Sequence, residues 1–127
     1  MSGRPRGADE REGEVPEIAV EALRERLAGG GADRVQSAAA SPARVVDVRE
    51  DWEWASGHIA GATHIPLGQL PARLGELDGT DEVYFICHLG GRSEMATRFA
   101  REHGLTGATN VQGGMDAWEA RGYPVTT

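Results

Sequence analysis

Lysine is absent from the sequence: all 13 basic residues are arginine. That excludes Schiff-base chemistry and a P-loop lysine. Cysteine is nearly absent, with Cys87 alone. One thiol excludes an internal disulfide framework, a Cys₄ zinc site and an intramolecular CxxC redox cycle. No apolar run approaches the roughly 18 residues of a membrane span. Residues 1–15 are rich in Arg, Glu and Gly and lack the apolar core of a signal peptide. No membrane partner is expected, and the expected location is cytoplasmic. Positive charge is also scarce, with 13 basic against 20 acidic residues, a net charge of −7 and no basic run. This speaks against nucleic acid, whose binding rests on phosphate neutralisation.

The 127 residues suffice for one domain with one compact core, and 39% hydrophobic with 26% charged residues is ordinary for a globular protein. Residues 1–14 read as a disordered tail, since little there can be buried to offset the cost of ordering it. Residues 15–127 read as the domain. Val20, Leu23 and Leu27 fall at i, i+3 and i+7, the pattern of a short amphipathic helix over 20–28. It is expected to stop at Gly29-Gly30-Gly31, and residues 29–43, rich in Gly, Ala and Ser, read as a flexible connection.

Three apolar runs follow. Val45-Val46-Asp47-Val48 precedes a helical pattern at 50–55, and Ala62-Thr63-His64-Ile65 ends at Pro66 before a weakly helical stretch at 67–77. Glu82-Val83-Tyr84-Phe85-Ile86 is unbroken and aromatic-rich, as expected of a central parallel strand covered on both faces. A helix over about 92–103 should bury Met95, Ala96, Phe99 and Ala100, with Gly104 as its C-cap. A strand at 109–111, then Gly113-Gly114 and a helix at 115–121, complete the pattern. Strands alternating with helices predict an α/β domain, a mostly parallel central sheet with short helices on both faces.

Cys87 follows the strand at 82–86 and precedes a helix, and in open α/β sheets ligands bind beyond the carboxyl ends of strands. The loop between is Cys87-His88-Leu89-Gly90-Gly91-Arg92-Ser93. Paired glycines let the backbone curl so that successive N–H groups converge, and the helix directs its own N–H groups and positive dipole end to the same point. Arg92 can add a fixed charge and Ser93 can cap the helix. Such a cradle favours thiolate over thiol and stabilises an anion carried on the sulfur. A lone cysteine ending a buried strand is also a common small hydrophobe. What distinguishes Cys87 is the set of two glycines, an arginine and a helix start within seven residues.

At this point the sequence resembles the single-domain rhodaneses, a family of sulfurtransferases. The resemblance extends over about 15–125 and rests on four motifs in order. They are Val45-Val46-Asp47-Val48-Arg49-Glu50; Gly57-His58-Ile59-Ala60-Gly61-Ala62 with Ile65-Pro66-Leu67; Cys87 through Ser93; and Gly113-Gly114-Met115-Asp116-Ala117-Trp118 with Gly122-Tyr123-Pro124-Val125. Four residues separate Cys87 from Arg92, against five in the related dual-specificity and tyrosine phosphatases. The shorter loop makes a cradle suited to one sulfur on the cysteine rather than a tetrahedral phosphate, which disfavours a phosphatase or arsenate reductase. The loop also departs from the mercaptopyruvate-using relatives, which carry small residues there and end in Val-Thr.

The resemblance implies a double displacement: a small anionic sulfur donor such as thiosulfate loads Cys87 as a persulfide. The loop His88, Leu89, Gly90, Gly91, Arg92 and Ser93 holds it, and a small thiol, a protein thiol or cyanide takes the sulfur. The rival is a non-enzymatic persulfide carrier or sensor module serving a protein partner. Asp47 is a candidate supporting residue that orients Arg92 or a loop amide, or caps the next turn. Arg49 reads as an ion pair with Glu50 or Glu53, and His58 as a backbone-bonding turn residue. His58, His64, Cys87 and His88 lack metal-ligand spacing, so neither metal nor cofactor is expected. Trp52, Trp54 and Trp118 read as packing, since no basic residues interleave with them.

Overall fold

The computed structural model describes residues 15–36 and 43–127, of which 29–36 by backbone only. The tail expected at 1–14 and part of the connection expected at 29–43 lie outside the described residues. In chain order the elements are β1 (Glu17–Ala19), α1 (Val20–Gln36), β2 (Ala43–Asp47), α2 (Asp51–Ala55) and β3 (Thr63–His64). Then come a stretch of short helical turns with α3 (Leu70–Arg73) at its centre, β4 (Glu82–Ile86), α4 (Gly91–Glu102), β5 (Ala108–Gln112) and α5 (Gly114–Ala120).

The five strands form one sheet in the order β1-β5-β4-β2-β3, every neighbouring pair parallel. β4 lies at its centre, covered on both faces. Strand alternation sends Val83 and Phe85 to one side, where they meet Leu70, Leu77, Ala96 and Ala100 from α3, the turn after it and α4. Tyr84 and Ile86 face the other side, against Val20 and Leu23 of α1 and Met115 and Trp118 of α5. The α/β architecture with helices on both faces follows directly from this two-sided burial. Among the described residues no helix is long and apolar enough to cross a membrane.

Two expectations about the helices need correction. The first helix does not stop at Gly29-Gly30-Gly31 but runs on to Gln36. Glycine costs about 1 kcal/mol per residue relative to alanine, a penalty rather than a stop, and an already nucleated helix can carry it. Met95 is not part of the buried stripe of α4: it is 60% exposed, while Ser93, Ala96, Thr97 and Ala100 are buried. The helix is rotated so that small residues, not the long thioether, sit against the sheet. β1, whose three residues carry no periodic signal in the sequence, forms an edge of the sheet against β5.

Candidate active site

Cys87 leaves β4 on the Phe85 side and is 1% exposed. Its Sγ accepts the Gly90 N–H at 3.1 Å and the Ser93 N–H at 3.3 Å, and lies 3.3 Å from Ser93 Oγ. Gly90 makes this possible with φ of +116°, in the left-handed region that side chains resist. The turn at Gly90 starts α4 beneath the sulfur, so amides of the first helical turn, which have no intrahelical partner, are available to an anion. His88 and Leu89 are exposed at the loop tip.

Ser93 does not cap the helix. Gly90 occupies the cap position without a side-chain bond, and Ser93 lies in the first turn with its hydroxyl turned inward, 2.5 Å from Asn110 Oδ1. Asn110 is buried in β5 and donates through Nδ2 to Glu17 of β1 at 3.1 Å. Neither Asn110 nor Glu17 stood out in the sequence, because both lie far along the chain from Cys87 and within strands of unremarkable pattern.

The loop is also held from outside. Met115 N–H donates to the Cys87 carbonyl at 2.7 Å, and Asp116 N–H to that of His88 at 2.9 Å. The start of α5 thus docks end-on against the loop. A Cβ on Gly114 would stand 2.4 Å from the Cys87 oxygen and 2.6 Å from the His88 oxygen, so only glycine allows this approach. The Gly113-Gly114 pair was legible as a motif, but its task was not.

Arg92 is held by Glu53 of α2, with NH1 and NH2 each on one carboxylate oxygen at 2.8 and 2.9 Å. This fork holds the Glu53 carboxyl well below its usual range, at about 2. Glu53 Oε1 also accepts the Glu50 N–H at 2.9 Å, closing a capping box on α2. The charge of Arg92 is therefore matched by a partner that sequence reasoning had assigned to Arg49.

Arg49 instead pairs with Asp47, both buried. Asp47 Oδ1 accepts the Arg49 N–H at 3.0 Å and Nε at 2.9 Å, Oδ2 accepts NH2 at 2.8 Å, and NH2 reaches the Gly57 carbonyl at 2.7 Å. Of the two readings of Asp47, the geometry matches the cap of the next turn: its bonds go to the Arg49 N–H and guanidinium, not to Arg92 or an amide of the thiol loop. His58 donates from Nδ1 to the Trp54 carbonyl at 2.9 Å, as expected of a turn histidine, and its ring stacks on Trp54. Trp118 is core packing with its N–H on the Pro124 carbonyl, whereas Trp52 is 73% exposed.

Fold and loop together define a class: parallel α/β domains whose single thiol, at the end of the central strand, sits in a cradle of loop and helix amides. Within that class the chain belongs to the rhodanese family; the model described as "Rhodanese-like domain" matches residues 21–121. It is 39% identical over 107 residues to "Putative sulfur carrier protein YrkF" of Bacillus subtilis, covering 84% of this chain and 52% of that one. The sequence thus spans about half the length of that relative. It is 37% identical over 111 residues to "Putative sulfurtransferase YtwF" of the same organism, covering 87% of this chain and 97% of that one. Among solved structures it resembles a rhodanese-related protein from Thermoplasma volcanium, with a TM-score of 0.73, 30% identity and coverage of 87% and 97% of the two chains.

Proposed function

We propose that this protein is a rhodanese-type sulfurtransferase that moves a sulfane sulfur from thiosulfate or a similar anionic donor to a thiol or cyanide acceptor through a persulfide on Cys87. The observation that carries this reading is the pair of backbone N–H groups, from Gly90 and Ser93, aimed at Cys87 Sγ. The Cys87 thiolate attacks the outer sulfur of the donor. A new S–S bond forms, the donor's S–S bond breaks, and sulfite leaves with the electron pair. The amides of 88–93 then stabilise charge on the outer sulfur as an oxyanion hole stabilises oxygen. An acceptor thiolate or cyanide attacks that outer sulfur and returns the Cys87 thiolate.

Cys87 is the one cysteine of this sequence, so no second thiol within it resolves the persulfide and the acceptor comes from outside the domain. Arg92, already matched by Glu53, serves chiefly to anchor the loop, and the donor anion is drawn by loop amides and the start of α4. The second reading, a persulfide carrier handing sulfur to one protein partner, is favoured by the likeness to a protein named as a sulfur carrier. Cytoplasmic residence, where a reduced thiol persists, suits either reading.

Intact-mass measurement after incubation with thiosulfate tests the proposal. A gain of one sulfur, absent from Cys87→Ser, is expected; no gain, or a gain that survives the substitution, would refute it. Multiple turnovers with cyanide or small thiols mark the enzyme, and single loading without turnover marks the carrier.

A further inference from the structure

Behind Cys87 a chain of polar side chains crosses the interior to the edge of the sheet. Sγ meets Ser93 Oγ at 3.3 Å, Ser93 Oγ meets Asn110 Oδ1 at 2.5 Å, and Asn110 Nδ2 meets Glu17 Oε2 at 3.1 Å. Ser93 is fully buried and Asn110 is 2% exposed, while Glu17 lies at the surface in β1, directly opposite Asn110 in the β1–β5 register. The direction of each bond follows from which groups can donate. A carboxylate only accepts, so the end of the Asn110 amide facing Glu17 must be its NH₂. The other end, facing Ser93, is then the carbonyl oxygen, which also only accepts. The Ser93 proton must lie on the Asn110 side, and Ser93 presents a lone pair to the sulfur. Of the three contacts on Sγ, two are fixed N–H donors and the third has its polarity set from the surface.

We propose that Asn110 and Glu17 are positioning residues for Cys87: the Glu17 carboxylate locks the Asn110 amide, the amide claims the Ser93 hydroxyl proton, and Ser93 accepts the Cys87 S–H, holding the resting sulfur as a thiol. When the thiol proton leaves, the Ser93 hydroxyl can serve the anion only by turning from Asn110 to the sulfur. The relay therefore opposes ionisation in the resting protein, against the pull of the loop amides. This deepens the sulfurtransferase reading and rests on it for its purpose, but its test does not involve sulfur transfer. The charged and titratable groups beside Cys87 include His88, next in the chain, Arg92 of α4 with Glu53 of α2 on its guanidinium, and Asp116 of α5 on the His88 carbonyl, and the variants below leave all of them in place.

The test is the pH dependence of Cys87 alkylation by iodoacetamide, measured without any sulfur donor, in the full chain. Asn110→Ala removes the acceptor and changes no charge. Glu17→Gln lets the facing amide flip, because glutamine can accept as well as donate. Each should free the Ser93 hydroxyl for the thiolate and lower the titration midpoint by about 0.5–1 unit, a three- to tenfold rise in thiolate below the midpoint. In a Ser93→Ala background the Asn110→Ala shift should vanish, and Glu17→Gln should keep only the smaller effect of removing a distant negative charge. Midpoints unchanged or raised, or shifts undiminished by Ser93→Ala, would overturn the proposal. If circular dichroism finds Asn110→Ala unfolded, the Glu17→Gln pair decides alone. Failure of the sulfur-loading experiment would leave these midpoints unaffected, so the two readings fail separately.

Discussion

Replacing Glu53 by Gln removes one negative charge while keeping an oxygen that can still accept the Glu50 N–H and hold the α2 capping box. The loss is then confined to the charge-assisted fork with Arg92. The carboxyl stands at about 2 in the folded protein against an ordinary 4.5, which sets a ceiling of about 3 kcal/mol. The Glu53 side chain is 12% exposed but that of Arg92 is 34%, so water screens the pair and can receive Arg92 once it is freed. The expected destabilisation at pH 7 is therefore about 1–2 kcal/mol, a drop in urea midpoint of about 1 M. Because the folded value is depressed, this stability is present above 4.5 and is lost as the pH falls from 4.5 towards 2. Urea unfolding of both proteins at several pH values checks the reasoning. The curves should differ at pH 7 and converge towards pH 2. A difference that stays constant across the range, or no difference at pH 7, would refute the assignment of this carboxylate's value to Arg92.

Other substitutions probe other parts of the frame. Gly114→Ala would drive a Cβ to 2.4 Å from the Cys87 carbonyl at a φ of +58°; a loss of about 2–4 kcal/mol by urea unfolding is expected, together with slower sulfur loading. Asp47→Ala leaves the buried Arg49 guanidinium without its counter-charge; thermal unfolding should reveal a cost of about 3–5 kcal/mol. Met95→Ala, on the exposed face of α4, should change stability by no more than about 0.5 kcal/mol. A larger loss on chemical unfolding would return Met95 to the buried stripe.

The parts of the fold legible in the sequence were those with dense local signals. β4 announced itself as an unbroken apolar run, and its two-sided burial on Val83 and Phe85 against Tyr84 and Ile86 follows from that run. Cys87 and the Gly90 turn were legible because the chemistry of the loop is contiguous in the chain. β1 was not, since three residues at the sheet edge, mostly facing solvent, carry no periodicity. The Glu53 partner of Arg92, the Asp47 partner of Arg49 and the Asn110 partner of Ser93 were not legible, for a common reason. Which charges and hydroxyls meet depends on how β2, α2, α4 and β5 are juxtaposed, and spacing along the chain is blind to that. Asn110 is the clearest instance: its role exists only because β5 places it between Ser93 and Glu17.

The dependence of the thiol loop on α5 has a consequence for the order in which the protein becomes competent. The carbonyls of Cys87 and His88 are held by amides of Met115 and Asp116, which are made more than twenty residues later. During synthesis the cysteine emerges from the ribosome well before the helix that fixes its loop. Until that helix docks, two loop carbonyls lack their donors and the thiol stands in an unfinished setting. The cradle around residue 87 is thus complete only once α5 has docked, so a chain interrupted before it would carry the cysteine without its finished cradle.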